Sequence, residues 1–279
     1  MLADTPVGYW HLSETSGTSA ADSSGRGNVG AYRNGIQQGQ TGAITNGDGA
    51  VRLDGTDDFV NVPDSASLSP TGTLSVEAWV YLEAYPATGG YINIVNKANA
   101  YALQAEAHTA GTASLQFQLF HPSGRVQTEA AKTVLKTGQW AHIVATYDGT
   151  TSVLYVNGVQ VAAVAQTGAV VDTATALTFG AATNTLKGRV DEVAVYPTAL
   201  SAARVQAHFT AASAPLPTAT PTSTVTNTPA STATGTTTST PTGTATSTPT
   251  VTSTITPTGT TTSTATPTTT STSTTTPMD

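Results

Sequence analysis

The stretch Leu74–Leu82, LSVEAWVYL, decides the fold of this chain. Its even-numbered residues are all apolar, whereas its odd-numbered residues are Ser, Glu, Trp and Tyr. Strict alternation is typical of a β-strand with one face in a core, because successive side chains point to opposite faces of a sheet. Related apolar and β-branched runs predict further strands at 114–120, 140–147, 152–156, 159–164, 175–180 and 189–196.

Turn and helix signals complete this pattern. The dipeptide at 157–158 is Asn-Gly, which favours a two-residue hairpin because both turn positions take a positive φ. Only one stretch indicates a helix: Ser201 is a candidate N-cap, and Leu200, Val205 and Phe209 fall near helical spacing. We therefore expect an all-β fold, an antiparallel two-sheet jelly-roll sandwich with one short C-terminal helix.

The composition divides the 279 residues into two parts. Residues 1–212 carry varied sequence and are predicted to form one globular domain. Residues 213–279 are almost entirely Thr, Ser, Pro, Ala and Gly, and their only charge is Asp279. Such a tail cannot bury enough apolar surface to fold, so we predict a disordered segment. It would serve either as an O-glycosylated stalk or as an unmodified linker.

Charge and cysteine content limit the partners and the compartment. The formal net charge is -7 and no basic patch occurs, which argues against nucleic acid and anionic membranes as partners. No run is apolar for long enough to insert in a membrane. The absence of cysteine suits an oxidising exterior. We expect a secreted or cell-surface protein whose signal peptide is missing from this sequence, which itself is expected to be a fragment.

A series of motifs is distinctive in its order. It consists of ADSSGRGN at 21–28, VRLDGTDDFV at 51–60, LSVEAWV at 74–80, WAHIVATYDG at 140–149, LYVNG at 154–158 and GRVDEVAVY at 188–196. This series resembles the laminin-G-like jelly rolls of the concanavalin A-like lectin/glucanase superfamily, over roughly residues 4–212. The resemblance implies two curved antiparallel sheets in an accessory module of extracellular proteins. Such modules bind carbohydrate or protein or space other modules, and the fold alone does not decide between these roles.

Glycoside hydrolysis is the first chemistry to weigh, because glucanases share this superfamily. Their pattern places two Glu around an Asp on one strand, and a retaining enzyme needs two carboxyl groups about 5 Å apart. No two of the six Glu residues share a short strand, and the neighbours Asp191 and Glu192 are expected to point to opposite faces. The five His residues show no metal-ligand spacing, and no serine lies in a nucleophile-elbow motif. We therefore expect a protein that is not an enzyme.

A structural Ca²⁺ ion is the cofactor that the resemblance implies, where an N-terminal loop meets the last strand. The predicted ligands are Asp22, Asn28 and Asp191, with Glu14 as a weaker fourth, since Ca²⁺ prefers carboxylate and amide oxygens. In the alternative interpretation Asp22 makes an Asx-turn and Asp191 caps local amides.

A second acidic group consists of Asp54, Asp57 and Asp58. By position it resembles the calcium-bearing loop of pentraxin relatives. The favoured interpretation is a hairpin turn with solvated carboxylates.

Candidate ligand-binding residues lie on the polar faces of two predicted strands. Glu77, Trp79 and Tyr81 share one face, and Trp140 and His142 share another. An aromatic ring with polar neighbours can stack on a sugar ring, so Glu77, Trp79, Tyr81 and His142 are predicted to bind a ligand. In the favoured alternative, loops cover these faces and the two tryptophans belong to the core.

The function predicted from all of these features is a recognition or adhesion module displayed on a stalk. Its partners would be a glycan or an extracellular protein, together with neighbouring domains of a longer polypeptide. The alternative is a structural spacer, or a subunit of an extracellular assembly, without a soluble ligand.

Overall fold

The described part of the chain comprises residues 1–44 and 48–213 of a computed structural model. It contains one α-helix, α1 (Ala202–Ser213), and two short 3-10 helices, Leu2–Asp4 and Ala66–Leu68. The strands of this part are β1 (Gly8–Trp10), β2 (Ser19–Ala20), β3 (Gly30–Arg33), β4 (Gln37–Thr41), β5 (Gly49–Asp54), β6 (Phe59–Val62), β7 (Leu74–Leu82), β8 (Tyr91–Lys97), β9 (Tyr101–Glu106), β10 (Ser114–His121), β11 (Gly124–Glu129), β12 (Trp140–Tyr147), β13 (Thr151–Val156), β14 (Val159–Ala165), β15 (Leu177–Gly180) and β16 (Lys187–Tyr196).

These strands form two antiparallel sheets. Sheet A has the order β14-β13-β12-β7-β16-β5-β4, and β1 also pairs with β16. Sheet B has the order β11-β10-β9-β8-β15-β6-β3-β2. The predicted all-β sandwich with a single C-terminal helix is confirmed. No helix among the described residues is long and apolar enough to cross a membrane.

The main core lies between the two sheets. The apolar residues of β7 fill it as the alternation predicts, because Leu74, Val76, Ala78, Val80 and Leu82 are all buried. Trp10 is fully buried and packs edge-on against Phe179, with ring centroids 4.9 Å apart. Its indole Nε1 donates a hydrogen bond of 2.8 Å to a backbone carbonyl of the first motif, so this large ring is satisfied inside the core.

The predicted hairpin and helix start are both present. Asn157 and Gly158 have φ values of 51° and 78°, which are the positive angles that a tight turn between β13 and β14 requires. The Ser201 Oγ accepts a 3.3 Å hydrogen bond from the Arg204 backbone N–H, as an N-cap does. The helix ends at Ser213; the prediction for the rest of 213–279 lies outside the described residues.

Helix α1 lies on the outer face of sheet A, the face that points away from sheet B. It closes a second, smaller apolar cluster there, which consists of Tyr9, Val144, Tyr155, Ala194, Tyr196, Leu200 and Val205. The helix covers only part of this face. The outer face of sheet A therefore has a covered half beneath α1 and an open half beyond it.

Candidate functional site

The covered half contains a fully buried carboxylate, Glu77 on β7. His142 Nε2 donates to Glu77 Oε1 over 2.6 Å, and the Tyr196 hydroxyl donates to Oε2 over 2.8 Å. His208 Nδ1, from α1, lies 3.0 Å from Oε2. Burial alone would raise the pKa of Glu77, but the hydrogen bonds from His142 and His208 outweigh it and hold the pKa at about 2.

Asp4 extends this network to the N-terminus of the chain. Its Oδ2 lies 2.8 Å from His208 Nε2, and its Oδ1 accepts a 2.8 Å hydrogen bond from Arg204 Nε. The Arg204 hydrogen bond is the largest reason that the pKa of Asp4 falls to about 2. Burial would lower the pKa of His208, but its bonds to Glu77 and Asp4 raise it above the ordinary value. This network fixes α1 to the sheet through charged groups.

Aromatic rings complete the contact between α1 and the sheet. Phe209 of α1 lies over Trp79 and His142, with centroid distances of 5.9 and 6.0 Å. Glu77 and His142 are fully buried, and Trp79 is 5% exposed. Three of the four residues predicted to bind a ligand therefore lie beneath the helix, which covers this face where loops were expected to.

The fourth predicted residue, Tyr81, lies on the open half. Trp140, Tyr81, Arg189 and Arg52 are direct neighbours across four strands of sheet A. All four side chains are half-buried. The Tyr81 and Trp140 rings meet edge to face at 5.7 Å, and the Arg189 guanidinium carbon lies 5.0 Å from the centre of the Tyr81 ring. We call this set the aromatic row.

Polar groups border the aromatic row at both ends. Arg52 donates two 2.7 Å hydrogen bonds to Glu83, so its charge is balanced, whereas the buried Nε of Arg189 has no hydrogen-bond partner among the described residues. A groove of about 370 Å³ is lined by Tyr85, Thr133, Lys136, Thr137 and Gln139 among others. Gln139 directly precedes Trp140 in the chain, so the groove lies beside this end of the row. The row thus combines partly exposed aromatic rings with neighbouring polar and charged groups.

The structure places the predicted calcium ligand Asp22 in a local turn. Its Oδ1 accepts backbone N–H bonds from Tyr9 at 3.0 Å and Ser24 at 2.9 Å, and its Oδ2 accepts one from Asn28 at 2.8 Å. Burial would raise the pKa of Asp22, but these hydrogen bonds, led by Ser24, lower it. These are the contacts of an Asx-turn, which is the alternative interpretation of Asp22.

The other predicted calcium ligands are engaged elsewhere. Asn28 Nδ2 donates to the Val7 carbonyl over 2.7 Å, and its Oδ1 accepts from Ser65 over 2.6 Å. Glu14 Oε1 accepts from the Ala21 N–H over 2.7 Å. Within the described residues, no hydrogen bond or ion pair joins Asp22 or Asn28 to Asp191, so these groups do not fit a shared calcium site well. The ligand set Asp22, Asn28 and Asp191 stays a prediction.

The second acidic group forms the predicted turn between β5 and β6. The Asp54 N–H donates to Asp58 Oδ2 over 3.0 Å, and the Thr56 N–H donates to Asp54 Oδ1 over 2.7 Å. Carboxylate oxygens of Asp54, Asp57 and Asp58 lie within 4.8 Å of one another. Burial raises the pKa of Asp58. These contacts form the turn of the favoured interpretation, and Asp54 and Asp57 are exposed as it expects, whereas Asp58 is buried rather than solvated.

A different arrangement occurs at a bulge in β16. The register of β16 against β7 shifts between Asp191 and Ala194, and Glu192 has a φ of 53°, which is rare for a residue with a side chain. Asp191 pairs with Trp79 on the outer face, while Glu192 accepts a hydrogen bond from the Tyr9 hydroxyl on the same face. The prediction that these two carboxylates point to opposite faces is wrong, because the bulge adds a residue and interrupts the alternation.

Asp191 has few partners at this bulge. It is fully buried, and its Oδ2 accepts one 2.7 Å hydrogen bond from the Ala43 N–H. Its Oδ1 has no hydrogen-bond partner among the described residues. Burial, with the nearby charges of Glu192 and Asp48, raises the pKa of Asp191 to about 8.

His11 and Asp48 complete the bulge cluster, which we define as His11, Asp48, Asp191 and Glu192. His11 Nδ1 lies 3.1 Å from Glu192 Oε1 and 3.3 Å from Asp48 Oδ2. Its hydrogen bond to Glu192 is the largest cause of a raised His11 pKa. Sequence spacing did not reveal this cluster, because His11 and Glu192 are 181 positions apart.

Comparison with known families identifies the class of this protein. A family model described as the concanavalin A-like lectin/glucanases superfamily matches residues 54–206. The chain belongs to this superfamily. No curated protein matches it.

Solved structures with the same fold include several toxin binding domains. The binding domain of Paraclostridial mosquitocidal protein 1 is similar with a TM-score of 0.62 and 16% identity, over 75% of this chain and 52% of that one. The binding domain of botulinum neurotoxin DC in complex with rat synaptotagmin II has a TM-score of 0.59 and 12% identity, over 75% of this chain and 52% of that one. A structure of botulinum neurotoxin type C, whose cell entry depends on interaction with two ganglioside molecules, has a TM-score of 0.57 and 13% sequence identity. The match covers 76% of this chain and 52% of that one. This chain spans about half the length of these structures.

Proposed function

We propose that this protein is a non-catalytic extracellular recognition module that binds a glycan through the aromatic row of sheet A. The observation that carries the proposal is the line of Trp140, Tyr81 and Arg189 across three adjacent strands. It lies on the part of the outer face that α1 leaves open. The segment 213–279 would display the module as a stalk.

The chemistry of the row suits a sugar. Aromatic rings offer broad apolar contact to the C–H face of a pyranose, and donors at the rim bond its hydroxyl groups. The guanidinium of Arg189 brings a positive charge beside the Tyr81 ring, which favours a glycan that carries a carboxylate. The hydroxyl- and amide-bearing groove that starts beside Trp140 would take the next sugar unit.

The similar solved structures agree with a binding role. One is described in complex with rat synaptotagmin II, and another belongs to a toxin whose cell entry depends on interaction with two ganglioside molecules, so the same fold serves protein and glycan partners in other proteins. Since the fold does not determine the ligand, the proposal depends on the residues of the row.

A glycan array followed by calorimetry with the full chain tests this function. Trp140→Ala and Tyr81→Ala should each weaken binding of the best acidic glycan at least about tenfold, because each removes about 1.4 kcal/mol or more of stacking. Tyr91→Ala is the matched control, since Tyr91 is an aromatic residue of sheet B that is 41% exposed. It should leave the affinity unchanged.

Two results would contradict the proposal. One is equal binding by the Trp140→Ala and Tyr81→Ala variants. The other is no glycan binding by the unaltered chain together with self-association in sedimentation, which would favour the structural spacer instead.

A further inference from the structure

Strand β14 forms one end of sheet A and pairs on one side only, with β13. Among the described residues, no backbone hydrogen bond outside that ladder involves β14. The Gln166 N–H bonds the Thr150 carbonyl over 2.8 Å, and the backbone groups of successive residues point alternately toward and away from the neighbouring strand. The N–H and C=O groups of Ala163 and Ala165 therefore point away from β13, where they form a free edge.

Sheet B meets this hairpin on its inner face rather than at the edge. Ala162 packs against the main core, whereas Ala163 lies opposite Val153 on the outer face and is exposed. The Thr128 hydroxyl of β11 is hydrogen-bonded to the Ser152 hydroxyl of β13 in the interior. Since β11 and β14 form no ladder, the backbone groups of the edge stay unpaired within the described part of the chain.

The hairpin of β13 and β14 carries no charge. Between Asp148 and Asp172 the sequence contains no Asp, Glu, Lys or Arg. Val159 is 61% exposed, and Ala163 and Ala165 are exposed as well. A long exposed edge strand without charge, proline or glycine is a surface that another strand can join.

The other ends of the two sheets are protected. β11 carries Arg125 and Glu129, β2 has only two residues, and β4 contains Gly39 and a register shift against β5. Charges, short strands and bulges are the features by which proteins prevent pairing at sheet edges. The ladder of β14 also shifts register, opposite Tyr155, but it is regular over 162–165. The free edge of β14 therefore differs from the other three.

We propose that two copies of this chain associate through β14, which pairs antiparallel with its equivalent about a two-fold axis perpendicular to sheet A. The partner is a second copy because an uncharged edge is complementary to itself, and a two-fold axis brings the same surface together from both sides. An edge with charges, such as that of β11, would bring Arg125 or Glu129 against an apolar strand and remove it from water.

This symmetry has a consequence for the aromatic row. A two-fold axis perpendicular to the sheet keeps the outer faces of both copies on the same side. The two rows would then face in one direction, so a long glycan could contact both and bind more tightly than to one row. The association itself does not depend on glycan binding.

Sedimentation equilibrium of the full chain over a series of concentrations tests the association. We expect a monomer–dimer equilibrium with a dissociation constant in the micromolar range, because one pair of strands buries little surface. Ala163→Lys places a charge at the edge of both copies, so it should weaken the dimer at least about tenfold. Ala131→Lys is the matched control, since Ala131 is an exposed alanine that follows β11. It should dimerise like the unaltered chain.

Hydrogen exchange of the unaltered chain is a second measurement that needs no variant. As the concentration rises, the amides of 159–165 should exchange more slowly, because the second copy accepts hydrogen bonds from the free N–H groups. The amides of β11 should exchange at the same rate at every concentration.

Three results would overturn this assignment: a monomer at every concentration, equal dimer affinity in the Ala163→Lys variant, or unchanged exchange of 159–165 on dimerisation. If Ala163→Lys does not fold, the exchange of the unaltered chain decides. A monomeric chain would leave the proposed function unchanged, because glycan binding to the aromatic row is measured separately by calorimetry.

Discussion

Glu77 and Asp191 are both fully buried carboxylates on the outer face of sheet A, but their surroundings differ. Glu77 interacts with His142, His208 and Tyr196, and its pKa is about 2. Asp191 Oδ2 accepts a hydrogen bond from the Ala43 N–H, its Oδ1 has no hydrogen-bond partner among the described residues, and its pKa is about 8. Burial raises the pKa of both carboxyl groups. The difference shows that the partners decide whether a buried acid is charged.

The comparison also separates two roles for a buried charge. Around Glu77 the protein itself provides the compensating groups, and they hold α1 on the sheet. At the bulge the described residues leave one oxygen of Asp191 without a partner. A buried acid of the first kind is charged and holds neighbouring elements together, whereas one of the second kind is largely protonated near neutral pH.

The largest expected effect is that of Glu77→Gln. This substitution removes the buried carboxylate that His142, His208 and Tyr196 share, so we expect the free energy of unfolding in urea to fall by about 3 kcal/mol. Glu83→Gln is the control, because Glu83 forms a half-exposed pair with Arg52 and should cost less than about 1 kcal/mol. Equal losses in the two variants would refute the structural role of the Glu77 network.

A change of pH is expected to have a smaller effect on the free energy of unfolding. The pKa values of Glu77 and Asp4, both about 2, lie below their ordinary values of 4.5 and 3.8. Their stabilisation is therefore present above those ordinary values and is lost as the pH falls toward 2. The pKa of His208 lies above its ordinary value of 6.5, so its contribution is present below 6.5 and is lost as the pH rises through the raised pKa.

Urea unfolding across the pH range, compared between the unaltered chain and His208→Gln, measures this dependence. His208 faces Glu77 from β7, Asp4 from the N-terminal segment, Arg204 from its own helix and the terminal amino group. The variant should lose the extra stability below pH 6.5 and show a smaller loss of stability at acid pH, because His208 helps to lower the pKa of Glu77 and Asp4. Identical pH profiles would show that His208 does not carry the effect.

The smallest effect is expected for Asp191→Asn in EDTA. Asparagine keeps an oxygen that can accept the Ala43 hydrogen bond, and it removes a buried acid that lacks a countercharge. We expect a change of less than about 1 kcal/mol in the free energy of unfolding, in either direction. A loss as large as that of Glu77→Gln would show that Asp191 has a compensating partner in the folded protein.

Local sequence signals were sufficient for the fold class and for β7, β10 and β12 to β16, but not for strands such as β8, β9 and β11. The residue patterns of 74–82 and of 140–147 gave the bounds of β7 and β12, because they depend only on adjacent residues, although both faces of these strands are largely buried. The Asn-Gly dipeptide and the Ser201 cap act within a few residues and were also predictable. Short strands such as β2, with two residues, carry no such pattern and exist only through their partner β3.

The candidate sites could not be predicted in the same way. Alternation placed Trp79 and Tyr81 on one face but could not say that α1 would cover the first and leave the second open. It also failed at Asp191 and Glu192, since a bulge depends on how β16 pairs with its neighbours.

The sequence by itself determined the all-β class, the hairpin and the helix start, because each depends on residues near one another in the chain, and the order of its motifs indicated the superfamily. The tertiary structure alone decided which side chains are covered and which ionisable groups meet. Such contacts join residues as distant as His11 and Glu192, 181 positions apart, and no local periodicity encodes them.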